Sequence, residues 1–289
     1  MSNAATKHIL SSLRRNSAIV GLTLAATSCG NGDTEKATAL LNEAQQAFEA
    51  NRFETVITLT DSIKNAYPRE FDVRREALHL STKATEGLAV INRQKADSLC
   101  VVLAVRGDSL GRLVKFVNNP IEGYYVGAST EPTKFFGTNG LQARVSPNGD
   151  FYLMSSLKAK KVKSTSIEIS CDGASAVTST VAHDGERNDR SMGAEVITFI
   201  SAECDSVGKF IAANADRPLT LTFVGESTYS MPLPEKQARE IALLYDYATT
   251  LRRFKVASLE KERLERTVDL ARSQAARTYV EKDNDKAEK

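Results

Sequence analysis

In two long segments of the chain apolar residues recur with the spacing of a helix, and the segment between them lacks that spacing. This arrangement constrains the fold most. In residues 73–119 apolar side chains recur at steps of three and four, and the same spacing returns in residues 233–283. The first segment predicts a helix of roughly 65–70 Å, because each residue adds about 1.5 Å. A helix with such a stripe needs a partner to cover it. The sequence therefore predicts that the two helices pair antiparallel, with a coiled-coil-like seam.

The middle segment, residues 120–232, has the pattern of short strands. The runs LQARV and FYLMSSL flank the turn signal SPNGD, and EVITFI and LTLTFV alternate in the strand manner. We expect about seven to nine strands in an antiparallel sandwich-like domain or an open barrel. Val207, Phe210 and Ile211 indicate one short helix lying over it. Together with the flanking helices, this segment predicts the α+β class.

Residues 37–72 carry a shorter helical pattern, which breaks near Asn51 and resumes at Phe53. With small Ala44 and Ala47 in its first half and Pro68 after its second, the segment resembles a tetratricopeptide (TPR) repeat. The resemblance implies a pair of closely packed helices. Such repeats normally need three or more copies to bury a continuous core. We therefore expect the pair to pack on another part of the chain, and the adjoining long helix is a candidate.

The first 28 residues have the pattern of a secretory signal. Lys7, Arg14 and Arg15 precede a short apolar stretch that ends in small residues. The stretch is too short for a permanent span, which needs roughly 20 residues. The sequence LAATSC, ending at Cys29, resembles the lipobox of bacterial lipoproteins. The resemblance implies cleavage before Cys29, a diacylglycerol on its thiol and acylation of the new amino group.

The alternative is that Cys29 is an ordinary residue of a secreted or cytosolic protein. If the lipid is present, the polar, glycine-containing residues 29–36 are expected to form a flexible tether. The last residues, 284–289, are expected to be frayed.

The charge of the chain argues against nucleic acid as a partner. The chain has 38 Lys and Arg against 36 Asp and Glu, but three of the basic residues lie in the predicted signal, which has no acidic residue. The remainder, 35 against 36, has a formal net charge of −1. Nucleic-acid-binding proteins normally show a basic surface instead.

The cysteines do not form a metal-binding pattern, because no two of them lie close together in the sequence. Cys100 falls in the first long helical segment, which suits a packed thiol. Cys171 and Cys204 are candidates for a disulfide in an oxidising compartment, and the alternative is two reduced, buried thiols. No metal cluster or cofactor is expected.

One group of polar residues in the middle segment is a candidate for chemistry. His183, Asp184, Asn188 and Asp189 follow closely in VAHDGERNDRSMG. They suit a calcium-binding loop, because calcium favours several carboxylate and carbonyl oxygens, or an active centre made of His183 and Asp184. Turns between strands, however, use the same residue types for conformational reasons alone. No sequence pattern of a known nucleophile with its base accompanies them.

Tyr124 and Tyr125 are the candidates for a binding platform. Neighbouring aromatic side chains can line a carbohydrate or peptide site. The alternative is that both rings pack at the first strand of the domain.

The β-region, in LQARVSPNGDFYLMSS and DGERNDR with EVITF, is similar to lipoproteins of Bacteroidota-type bacteria, a resemblance that carries no activity. The leading hypothesis is a non-enzymatic envelope lipoprotein, anchored at Cys29 in the outer rather than the inner membrane, that docks an envelope protein. The alternative is a cell-surface module that binds a glycan or another small ligand, with or without calcium. A third interpretation is an enzyme using His183 and Asp184.

Overall fold

The computed structural model describes residues 31–190 and 193–278. Within them lie five α-helices: α1 (Asn31–Glu49), α2 (Phe53–Ala66), α3 (Phe71–Gly111), α4 (Asp205–Asn214) and α5 (Glu235–Arg277). The same residues form ten strands: β1 (Val114–Val117), β2 (Tyr124–Gly127), β3 (Gly140–Val145), β4 (Phe151–Leu157), β5 (Ser166–Cys171), β6 (Ala174–Val177), β7 (Asn188–Asp189), β8 (Glu195–Ile200), β9 (Leu219–Val224) and β10 (Thr228–Leu233). The predicted α+β class is confirmed. Two compact units divide the described chain, the first with residues 31–84 and Thr278 and the second with residues 85–190 and 193–277.

The first unit contains α1, α2 and the first turns of α3. Ala47 of α1, Val56 of α2 and Ala84 of α3 are buried in one cluster. Ile63 of α2 and Ala77 of α3 are buried in a second cluster. Small side chains at such contacts let helices approach closely. The beginning of α3 therefore covers the helix pair, which is too short to bury a core alone.

The second unit contains two antiparallel sheets. The six-stranded sheet has the order β1-β2-β3-β4-β8-β7, and the four-stranded sheet has the order β10-β9-β5-β6. The predicted hairpin is formed by β3 and β4. In its turn the Ser146 hydroxyl oxygen accepts hydrogen bonds from the backbone N–H groups of Asn148 and Asp150, at 3.2 and 3.0 Å. The local sequence SPNGD thus closes the turn with its own side chains.

Both sheets contribute to one core with α4 and α5. Leu153 of β4, Phe223 of β9 and Ile241 of α5 are buried in a single cluster. Strand alternation directs every second side chain to this core. The predicted short helix is α4, and its Val207 and Ile211 are buried in the same cluster.

The part of α3 in the second unit runs antiparallel to α5. Asp97 contacts Lys261, with 2.5 Å between carboxylate and ammonium, and Glu86 contacts Arg272 at 2.7 Å. The step between the two pairs is eleven residues on each helix, in opposite directions. Buried residues on each helix repeat at intervals of seven: Ala89, Ala96 and Leu103 on α3, and Ala257, Leu264 and Ala271 on α5.

The first long helix is shorter than predicted. It ends at Gly111 instead of near residue 119, and Val114–Val117 form β1, paired with β2. Leu110, Leu113 and Val117 keep helical spacing across this boundary, which explains the error. Gly111 weakens the helix there, and β-branched side chains favour the strand that follows.

Other boundaries also differ from the predictions. α1 begins at Asn31, inside the predicted tether, and Asp33 in its first turn is a favourable charge at a helix N-terminus. The described residues form ten strands rather than seven to nine, one of which, β7, has only two residues. α5 is described to Arg277, and residues 279–283 of the predicted helix lie outside the described residues. The predicted signal, Cys29 and residues 284–289 lie outside the described residues.

Candidate functional site

The two tyrosines of the predicted platform lie in β2, and neither offers a free ring. Tyr125 packs between Phe116 and Tyr247, with ring centroids 5.1 and 5.3 Å away. The Arg144 guanidinium lies over the ring of Tyr124, 4.2 Å from its centroid. Burial lowers the pKa of Arg144. This geometry favours the packing alternative over an open carbohydrate platform.

The predicted polar group around His183 is not assembled as a ligand set. Asn188 and Asp189 form β7, where they pair with Ile197 and Val196 of β8. Asp184 is exposed. In the part of the chain that the structure describes, no group of three or more His, Cys, Asp or Glu side chains could hold a metal ion.

His183 itself lines a cleft of about 540 Å³ in the second unit. The half-buried ring has a buried Nδ1 without a hydrogen-bond partner. The cleft, called here the basic cleft, is lined by Leu157, Lys158, Lys161, Val162, Lys163, His183, Arg190, Gly193, Ala194, Glu195, Glu226 and Ser227. Asp184 is absent from this lining, so the structure does not bring His183 and Asp184 together as a pair in the cleft.

The charges of the basic cleft do not balance. Lys163 is paired with Glu226, with 2.5 Å between ammonium and carboxylate. Among the described residues, Lys158, Lys161 and Arg190 have no carboxylate within salt-bridge distance. Arg190 donates instead to the backbone carbonyl oxygen of His183, and the carboxylate of Glu195 also belongs to the lining. The cleft therefore has four cations against two carboxylates, an excess of two positive charges.

The predicted disulfide is not formed. Cys171 and Cys204 are separate, buried thiols, which is the second of the two alternatives. The thiol of Cys204 donates to the carbonyl oxygen of Phe199, with 3.5 Å between sulfur and oxygen. Burial raises the pKa of Cys204 to about 12. Each sulfur is thus accommodated as a small core group.

An apolar groove lies between α3 and α5 and has a volume of about 540 Å³. This hairpin groove is lined by Asn92, Lys95, Ala96, Leu99, Arg252, Arg253, Val256, Ala257, Glu260 and Leu264. Leu99 is 40% exposed and Val256 is 67% exposed. Val102, 63% exposed, lies one helical turn beyond Leu99 and extends the apolar surface.

The rim of the hairpin groove is positively charged. Glu260 is paired with Arg263, with 2.7 Å between carboxylate and guanidinium. Lys95 and Arg253 have no carboxylate within salt-bridge distance among the described residues. Lys95 and Arg253 are therefore the two cations beside the apolar surface that lack a salt-bridge partner among the described residues.

The first unit has its own apolar depression, with a volume of about 500 Å³. It lies between α2 and the first turns of α3, and the side chains of Phe71 and Leu78 there are exposed. These two residues are seven apart and so lie on one face of α3.

The chain matches no protein-family model, no curated protein and no solved structure at a significant level. Within the described residues, no helix is both long and apolar enough to cross a lipid bilayer.

The sequence interpretation missed both the hairpin groove and the basic cleft. For the cleft, a signal was visible in KAKKVK, residues 158–163, where four of six residues are lysine. For the groove, helical spacing alone does not say which apolar side chains stay uncovered, so the sequence offers no such signal.

Proposed function

We propose that the chain is a non-enzymatic lipoprotein of the cell envelope, anchored in the outer membrane through a lipid on Cys29, whose helices dock a partner protein. In this proposal α1 and α2 are a TPR-like pair, α3 and α5 a coiled-coil-like hairpin, and the two sheets a sandwich-like head. The observation that supports docking best is the hairpin groove, where Leu99 and Val256 are exposed.

The proposed occupant of the groove is an amphipathic helix of the partner. Alanines in the contact between α3 and α5, such as Ala96 and Ala257, are small and leave a shallow depression beside them. A third helix with apolar residues at steps of three and four can lie in such a depression. It would cover Leu99, Val102 and Val256, and each large apolar side chain that becomes fully buried contributes roughly 1.5–3 kcal/mol.

Charge complementarity favours an acidic helix. Lys95 and Arg253 stand at the rim of the groove without acidic partners among the described residues. Carboxylates flanking the apolar stripe of the partner would pair with these cations. Such rim charges mainly set partner choice and the rate of association, and the apolar contacts supply most of the affinity.

Site-specific photo-crosslinking in intact cells tests this proposal. A photoreactive residue replaces Val256 in one variant and Val101 in the control. Val101 is 60% exposed, but it lies two residues after Leu99 and so on another face of α3. We expect crosslinking at Val256 only, to a peptide with net negative charge and helical apolar spacing.

A charge variant separates this docking from non-specific capture. Arg253→Glu should reduce the crosslinking yield at Val256 several-fold, because it places a like charge opposite the acidic flank. The control is Lys209→Glu, an exposed lysine of α4 outside the groove. Equal yields at Val256 and Val101, a basic captured peptide, or equal effects of the two charge variants would contradict the proposal.

A further inference from the structure

The basic cleft has features that protein docking does not use. Its lysines come from the loop between β4 and β5, and His183 and Arg190 come from the segment between β6 and β8. The cationic side chains of the cleft therefore belong to two segments that are separate in the sequence. None of its residues lines the hairpin groove.

The lysine-bearing loop is held in place by buried interactions. Glu195, only 6% exposed, accepts hydrogen bonds from the backbone N–H groups of Lys163 and Ser164, each at 3.0 Å. Gly225 lies so close that an added Cβ would collide with the carbonyl oxygens of Val162 and Lys163. The backbone of the loop is thus fixed against β8 and the turn after β9. Supported loops of this kind hold binding groups in a defined geometry.

The fixed loop brings cations together without neutralising them. Lys158, Lys161 and Arg190 line the cleft and have no carboxylate within salt-bridge distance among the described residues. Like charges that line one cleft repel one another, and a bound anion offsets that repulsion. The buried Nδ1 of His183 adds a polar atom that lacks a partner.

We propose that the basic cleft binds the phosphate group of a phosphate ester. Lysine ammonium groups act as point charges that bind phosphate well, and the excess of two positive charges in the lining matches the charge of a phosphate monoester at neutral pH. The Nδ1–H tautomer of His183 would donate a hydrogen bond to a phosphate oxygen. The cleft volume of about 540 Å³ leaves room for the rest of a small ester beside its phosphate. The ester is either a soluble compound or the headgroup of a phospholipid.

Titration of the full-length chain tests the site with three probes: inorganic pyrophosphate, succinate, and vesicles of equal parts phosphatidylcholine and phosphatidylglycerol. The test variant is Lys158→Gln with Lys161→Gln. The matched control is Lys160→Gln, because Lys160 belongs to the same loop, is exposed, and does not line the cleft. All substituted residues are exposed, so each variant should fold, which circular dichroism checks.

We expect pyrophosphate to bind and the double variant to weaken binding about tenfold or more, whereas Lys160→Gln changes it about twofold or less. The ring signals of His183 should shift on addition of pyrophosphate, while those of His79, on α3 in the first unit, should not. Binding of pyrophosphate without association with the charged vesicles assigns the cleft to a soluble ester. Vesicle association that the double variant loses and the control keeps assigns it to a lipid headgroup.

Three results would overturn the proposal: equal losses in the double variant and Lys160→Gln, succinate binding as tightly as pyrophosphate, or unchanged His183 signals at saturating pyrophosphate. Because the cleft and the hairpin groove share no residue, failure here leaves the docking proposal unaffected.

Discussion

Two buried groups of the β-region, the Glu195 carboxylate and the Cys204 thiol, are paired with backbone groups. Glu195 accepts from two backbone N–H groups, and the Cys204 thiol donates to a backbone carbonyl oxygen. Such pairing removes most of the cost of burying a polar atom.

The thiol of Cys204 should be chemically inert in the folded chain. Its pKa is raised to about 12 by burial, and only the thiolate is nucleophilic. At about pH 8 the thiolate fraction of Cys204 is therefore negligible. We expect iodoacetamide at about pH 8 to modify the half-buried Cys100 and to leave Cys204 unmodified, as measured by mass spectrometry of the digested protein.

The same reaction in denaturant is the control, since unfolding restores an ordinary thiol pKa to Cys204 and should make it as reactive as Cys100. Modification of Cys204 in the native chain at the rate of Cys100 would contradict its burial. Loss of both Cys171 and Cys204 from the alkylated peptides, reversed by a reductant, would instead reveal a disulfide between them.

At the scale of elements, the hairpin of β3 and β4 is coupled to α5 through Gly149. Gly149 has a φ of +85°, and a Cβ added there would lie 3.0 Å from the carbonyl oxygen of Ala248 and from the backbone nitrogen of Arg252. Gly173, in the turn between β5 and β6, has a φ of +79° and no neighbour within 4 Å of an added Cβ. The two glycines thus share backbone conformation and differ in surroundings.

This pair predicts two different costs for the same substitution. Gly173→Ala should lower the free energy of unfolding by about 1–2 kcal/mol, the cost of a left-handed conformation for alanine. Gly149→Ala should lower it by about 1–3 kcal/mol more, because the turn must also move away from α5. Urea denaturation of both variants measures the difference. Equal decreases in the free energy of unfolding would show that a methyl group at residue 149 does not clash with α5.

The sequence predicts a helix or strand well where the spacing of its apolar residues and a turn or proline signal give the same boundary. The turn signal SPNGD yields the hairpin of β3 and β4, and Pro234 is followed at once by α5. β1 was missed because Leu113 and Val117 keep helical spacing, so the local pattern favoured the wrong element. β7 has only two residues and exists through its pairing with β8, which no local pattern reports.

The sites were less predictable than the elements because long-range contacts assemble them. The basic cleft joins residues near 160, 190 and 226, and nothing in the sequence relates these three segments. His183 lines the basic cleft, whereas Asn188 and Asp189, which the sequence groups with it, belong to a strand. For Tyr124 and Tyr125 the sequence left a binding platform and packing open, and their rings are engaged by Arg144 and Tyr247.

At the scale of the whole molecule, a nearly neutral net charge coexists with local concentrations of positive charge. The chain without the predicted signal has 35 basic and 36 acidic residues. Cations are nevertheless uncommitted at the hairpin groove and at the basic cleft, while many acidic groups are engaged in ion pairs on the helices. Both surfaces therefore favour anionic partners, although net charge alone would indicate no preference.

The proposed membrane attachment depends on the lipid at Cys29. A buried methylene contributes about 0.8 kcal/mol, and one acyl chain gives only marginal binding, whereas several chains anchor a protein stably. Cys29→Ala removes the thiol that would carry the lipid. The variant should therefore fail to incorporate a fatty-acid analogue and should not be cleaved before residue 29. The control is Cys100→Ala, which removes another thiol and should leave labelling unchanged.

Labelling and the mass of the N-terminal peptide are the decisive measurements, because uncut precursor could stay on the membrane through its signal. The parent chain should yield a peptide that begins at Cys29 and carries acyl mass. If Cys29→Ala is labelled like the parent, or if the parent yields an unmodified Cys29, the anchor is excluded. The docking proposal would then concern a protein that reaches its partner from solution, with Leu99 and Val256 still available for contact.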